Sequence, residues 1–278
     1  MPELPTVQAL SERVEVLLAG SRLTGCQQIA FSGLKTAMPP PESLVGEVLS
    51  GTGRRGKYLL LELTSGARIA IHLSQAGRIT FEDPPKTTRP KGGVARFAFE
   101  DRPALLLKEF GTERKAGWWV LAPGDDGPLA SLGPEPDSHE FAEFIRGGDD
   151  GRRLHTMLRD QRTVAGIGRG YADDLLHAAR LSPMATLNGL DPAARERLLA
   201  AVHDTLEQGL ADERTRTGGL PPKLGEFFHI HKHAGEPCPR CGEALQRVSY
   251  ESHEVVYCPA CQTGGKVYAD RRMSRLLK

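Results

Sequence analysis

The sequence predicts an α+β fold: a helix and a β-sandwich in the first half, helices in the second, and a small cysteine-rich module at the end. Three observations predict it. Apolar residues recur at helical spacing from Val7, short apolar runs bounded by Gly, Pro, Ser or Asp follow, and helical spacing returns beyond Gly151. A chain of 278 residues can bury two cores, and 39% hydrophobic with 26% charged residues is a globular composition with no candidate membrane span.

The elements follow in order. Val7, Leu10, Val14, Leu17 and Leu18 fall on one face of a helix that Gly20 is placed to end. Between Leu23 and Ala122, segments 57–63, 68–73, 94–99 and 118–121 read as strands of a sandwich with the opening helix against it. Pro84 to Gly93, rich in Pro, Lys and Gly, reads as a loop. The Gly/Pro/Asp-rich passage Gly124–Asp137, a short helical segment at Phe141–Ile145 and the run Gly147–Gly151 mark a boundary. The expected division is therefore 1–130, a linker 131–150, a helical region 151–225 and a terminal module 226–278. In the helical region Leu154, Met157 and Leu158 share a face, and Gly166-Ile167-Gly168 makes a turn. A second helix then carries Tyr171, Leu175, Leu176 and Ala179, and a third runs from Pro192 to Leu210. Gly218 to Pro222 reads as an exposed loop.

The terminal module has the most specific pattern. Cys238-Pro239-Arg240-Cys241 and Cys258-Pro259-Ala260-Cys261 are two Cys-x-x-Cys knuckles at a separation suited to one closed, tetrahedral, structural Zn2+ site with a β-hairpin between its halves. Two disulfides or four unrelated thiols are the alternatives. The fifth cysteine, Cys26, stands alone, which fits a reducing compartment, and the N-terminus lacks the basic and apolar regions of a signal peptide, so a cytoplasmic address is expected. The net charge of +1 hides an asymmetry: residues 214–278 carry eleven Lys/Arg against six Asp/Glu, as expected of a nucleic-acid-facing segment. The Gly166–Gly168 turn also lets backbone N–H groups approach an anion at the start of the next helix, a possible phosphate site; its alternative is a plain turn.

The chain resembles the formamidopyrimidine-DNA glycosylase and endonuclease VIII family of base-excision repair enzymes over nearly its whole length. The resemblance rests on Met1-Pro2-Glu3-Leu4-Pro5, Arg54-Arg55-Gly56-Lys57-Tyr58-Leu59-Leu60, His72-Leu73 with Gly77-Arg78, Leu132-Gly133-Pro134-Glu135-Pro136, Asp160-Gln161-Arg162 through Gly168 to Tyr171-Ala172-Asp173, and the knuckles ending Cys261-Gln262. It implies an N-terminal helix plus β-sandwich domain, then a helix-two-turn-helix domain with a zinc ribbon, binding damaged or abasic DNA as a monomer. It also implies catalysis by Pro2, exposed as a secondary amine once Met1 is removed, with Glu3 as acid/base and Lys57 at the phosphate beside the lesion. α-Amino groups titrate about two units or more below lysine, so a nucleophilic fraction exists near neutral pH. His72, Phe110, Gly168, Arg169 and His253 are the remaining expected DNA contacts.

Several positions depart from the family. Arg169 replaces an asparagine after the glycine pair, and His253, five residues before the third cysteine, replaces an arginine that clamps phosphate. Gln75 aligns with a methionine and Glu109 with an arginine that fill the gap left by the everted nucleotide, while Phe110 keeps an apolar wedge. A carboxylate in the base stack and a mostly neutral imidazole at the clamp both weaken the grip, which favours substrates already open: abasic sites, single strands or gaps. His229, His231 and His233 are expected to face DNA or to pack, since the thiolates already complete a metal site. The alternative to an enzyme is a lesion- or structure-binding protein that keeps the fold but not efficient catalysis.

Overall fold

The computed structural model describes residues 2–110, 115–215, 228–250 and 253–269. They form two compact units, residues 1–131 with 210–224, and residues 132–209 with 225–278.

In the first unit α1 (Leu4–Leu18) follows Glu3, an N-cap in extended conformation, with Pro5 in the first turn where its missing N–H costs nothing. The helix buries Val7, Leu10, Val14 and Leu18, and Gly20 takes φ +79° just past its end. Eight strands follow: β1 (Leu23–Gln28), β2 (Leu49–Arg55), β3 (Tyr58–Leu63), β4 (Arg68–His72), β5 (Gly77–Glu82), β6 (Gly93–Phe99), β7 (Ala104–Glu109) and β8 (Gly117–Leu121). They build two four-stranded antiparallel sheets in the orders β1-β6-β7-β5 and β2-β3-β4-β8. The core holds Leu59, Leu61, Ile69, Ile71 and Val120 from one sheet and Ala95, Phe97, Leu105 and Leu107 from the other. Each large apolar side chain so buried contributes about 1.5–3 kcal/mol. Trp118 meets Phe97 edge to face, with ring centroids 5.2 Å apart. Lys57 does not open a strand as expected; it lies in the β2–β3 turn, one residue before β3 begins.

The second unit contains α2 (His139–Gly147), α3 (Leu154–Arg159), α4 (Arg169–Ala178), most of α5 (Pro192–Thr215), the hairpin strands β9 (Gln246–Tyr250) and β10 (His253–Tyr257), and the single turn α6 (Pro259–Gln262). Ser138 caps α2 by accepting from Phe141 N–H. The third predicted helix runs past Leu210 to Thr215. Two glycines seat aromatic rings here. A Cβ on Gly170 would lie 2.1 Å from Phe228 Cζ, and one on Gly209 would lie 2.1 Å from the Tyr171 hydroxyl. Tyr171 and Phe228 themselves meet edge to face at 5.3 Å. Among the described residues no helix is long and apolar enough to cross a membrane.

Candidate active site and metal centre

The amino-terminal end of α1 is positioned by contacts along β2. Gln8 accepts from Arg54 Nε at 3.3 Å, the Ser11 and Thr52 hydroxyls lie 3.0 Å apart, and Glu15 accepts from Thr52 N–H. Moving toward the start of α1, these partners move toward the end of β2, so Pro2 and Glu3 lie at the end of the unit where β2 turns through Gly56-Lys57 into β3. Pro2 and Glu3 are both buried, and the Lys57 side chain is only 5% exposed. A merely solvated lysine is thereby excluded. Arg54 helps shape the turn by donating to the Gly56 carbonyl at 3.2 Å. The unit also takes in the last residues of α5, where Glu213 accepts from the Thr6 hydroxyl at 2.9 Å.

His72 ends β4, in register with Tyr58, and the two rings lie 4.8 Å apart. Burial, with the Lys57 ammonium adding to it, pushes the His72 imidazole down to about 4. At neutral pH it is therefore an uncharged ring.

Strand alternation revises the expected wedge. Glu109 is 7% exposed and turned inward, its Oε1 accepting from Lys115 N–H at 2.8 Å and Ala116 N–H at 3.1 Å. Its carboxylate is thus held by the backbone of Lys115 and Ala116. Lys108 and Phe110, two residues apart, share the other face. Phe110 is 67% exposed with Lys108 Nζ 5.3 Å from its ring centre. Lys108 is a cation beside Phe110 that the sequence reading did not single out; the i, i+2 spacing would have found it had β7 been recognised. Gln75 is exposed, as a DNA-facing position requires.

In the second unit the glycine turn is built by Gln161. Its Oε1 accepts from Gly166 N–H at 2.9 Å and its Nε2 donates to the Ile167 carbonyl at 2.7 Å, while Gly166 takes φ +99°. The 132–136 segment braces the same turn, with Gly133 N–H donating to the Gln161 carbonyl and Ala165 N–H to the Pro134 carbonyl, both at 2.8 Å. Gly168 is the N-cap of α4, with no side chain to cap the helix, and Arg169 is the exposed first residue. An anion is the natural partner of such a helix start.

Behind it α4 presents two buried carboxylates. Asp173 contacts His231 Nδ1 at 2.6 Å and His155 Nε2 at 3.1 Å, and Asp174 accepts from the backbone N–H groups of His229, Ile230 and His231 at 2.7–3.2 Å. His231 is thus a packing residue, and His233 bonds Glu236.

The four knuckle sulfurs lie within 4.8 Å of one another, with Cys241–Cys258 at 3.5 Å and Cys238–Cys261 at 4.0 Å. A tetrahedral zinc with bonds of about 2.3 Å sets its sulfurs about 3.8 Å apart, whereas a disulfide needs about 2.05 Å. The residues fit one structural zinc ion and exclude the disulfide alternative. His253 pairs with Tyr250 at the turn end of the hairpin, away from Cys258; its side chain lies outside the described residues, as do the expected loop Gly218 to Pro222 and residues 270–278.

This combination of helix, sandwich, glycine-turn helices and four-thiolate hairpin defines a class of DNA-repair glycosylases, and the chain belongs to the formamidopyrimidine-DNA glycosylase family. Three family models match in succession: the formamidopyrimidine-DNA glycosylase N-terminal domain over residues 1–119, its H2TH domain over 132–218, and the zinc finger found in FPG and IleRS over 235–264. The formamidopyrimidine-DNA glycosylase of Pelotomaculum thermopropionicum is 31% identical, covering 94% of this chain and 99% of its own length. An uncharacterized formamidopyrimidine-DNA glycosylase-like protein of Mycobacterium tuberculosis is 38% identical over 53% of this chain and 95% of its own. A structure of MutM in complex with carbocyclic 8-oxo-G containing DNA shares the fold with a TM-score of 0.82 at 23% identity, covering 94% of this chain and 100% of that one.

Proposed function

We propose that this chain is a DNA glycosylase with associated lyase activity that acts at damaged or abasic sites through Pro2. With Met1 removed, the Pro2 nitrogen attacks C1′ of the target nucleotide. The base departs, or at an abasic site the hydroxyl does, and the secondary amine gives an iminium cation. Glu3 supplies and removes protons as the sugar ring opens. The iminium is an electron sink: loss of a C2′ proton expels the 3′ phosphate. Lys57 neutralises phosphate beside the reacting sugar, and Gly168 with Arg169 holds backbone phosphate on the second unit. Lys108 and Phe110 fill the space left by the everted nucleotide. His72 contributes as a neutral hydrogen-bonding partner, and His253 as a weaker phosphate contact than an arginine. One observation supports the reading above the others: Pro2 and Glu3 are buried at the start of α1, and Lys57 is buried in the turn that follows β2, the strand whose Arg54 donates to Gln8 of α1.

A preference for already open substrates now rests on Gln75 and His253 alone, since Glu109 faces inward. Borohydride trapping on abasic-site DNA tests the mechanism. A covalent protein–DNA adduct is expected from the mature chain and is expected to vanish with Pro2→Gly or with a blocked amino terminus. No adduct from the mature chain would leave a binding protein, and equal trapping by all three would overturn Pro2 as the nucleophile.

A further inference from the structure

α4 begins at the glycine turn and ends against the cysteine knuckles. Arg240, between the first two cysteines, donates to the His177 carbonyl at 2.8 Å and to the Ala178 carbonyl at 3.3 Å. Gln262 bridges Cys258 N–H, at 2.8 Å, and the Leu181 carbonyl, at 2.9 Å. These contacts fasten backbone to backbone. One contact reaches a metal-ligating atom itself: His177 Nε2 lies 3.2 Å from Cys238 Sγ. His177 is 5% exposed and Cys238 is 3% exposed, so water does not compete well for either group.

A zinc-bound cysteine is a thiolate and only accepts hydrogen bonds. The contact therefore selects the imidazole tautomer with its proton on Nε2. Four thiolates around one zinc carry a net charge of about −2, and on the buried side of the site, at Cys238 and Cys258, little water is at hand to offset it. An N–H aimed at sulfur does so without displacing the metal.

We infer that His177 is a positioning residue of the zinc centre: its Nε2–H donates to the Cys238 thiolate, draws charge from the sulfur and holds the ligand on the metal. This inference rests on the zinc site and not on the lyase reading.

The test is zinc competition between the full chain and a chromogenic chelator. His177→Phe keeps a ring but removes the N–H, and a zinc affinity at least about tenfold weaker is expected. His177→Gln can still donate and should recover part of the loss, which a purely space-filling role does not predict. An affinity for H177F within about twofold of the unsubstituted chain overturns the inference. If H177F does not fold, the unsubstituted protein loaded with cadmium-113 decides. A scalar coupling between the His177 Nε2 proton and the metal, through N–H···S–Cd, is expected; an Nδ1–H tautomer without that coupling overturns the inference. Metal analysis giving no bound zinc in the unsubstituted chain would instead remove the zinc site itself.

Discussion

Replacing Glu109 by alanine separates two opposite roles for one carboxylate. In the structure its Oε1 accepts from the N–H groups of Lys115 and Ala116, and Ala116 is 2% exposed. Hydrogen bonds to an ionised acceptor are each worth about 1.5–3 kcal/mol, and a buried N–H left unpaired costs about 1–3 kcal/mol. The Lys115 end lies nearer solvent and can be rehydrated, so the buried Ala116 N–H dominates and the net loss is about 2 kcal/mol. For a unit of this size that corresponds to a drop in Tm on the order of 5 °C. Glu109→Gln retains an acceptor and should lose about half as much. Thermal melting reads the stability, and titration with an abasic-site duplex at fixed salt reads the affinity. The expected result is a lower Tm with no gain in affinity. An unchanged Tm together with tighter DNA binding would mean that the carboxylate faces the DNA, and the inward placement would be refuted.

Two further outcomes are open to measurement. His72 titrates near 4 in the folded chain against about 6.5 when unfolded. Between those values the unfolded state binds more protons, so its contribution is complete above about 6.5 and is lost as pH falls toward 4. Urea midpoints should thus fall further between pH 7 and pH 5 for the unsubstituted chain than for His72→Phe; identical pH dependence would contradict the assignment. Gly170→Ala puts a Cβ 2.1 Å from the Phe228 ring. Overpacking should exceed the helix-propensity gain, for a net loss of about 1–2 kcal/mol in thermal melting, recovered in part by adding Phe228→Leu.

What the sequence disclosed depended on how each element is buried. The opening helix, the zinc knuckles and strands β3, β4, β6 and β8 were legible because their apolar positions or ligands repeat at a fixed spacing. β2 reads Leu-Ser-Gly-Thr-Gly-Arg-Arg and is organised by α1 through Gln8, Ser11 and Glu15, so its pairing lies in side chains far away in sequence. β7 merges a buried run, Ala104 to Leu107, with a charged end. Without its phase the inward Glu109 and outward Lys108 could not be told apart. The bonds made by Asp173, Asp174 and His177 had no local signature, because each joins α4 to a partner more than fifty residues on or, for His155, to the preceding helix.

The aromatic rings seated over Gly170 and Gly209 bear on when an ordering cost is met. Tyr171 and Phe228 occupy the volume of two absent side chains, which limits how α4 can roll or slide against its neighbours. The first turn of α4 is then already oriented before any phosphate arrives. The entropy of fixing it is spent in folding, and an anion arriving there would have little left to organise.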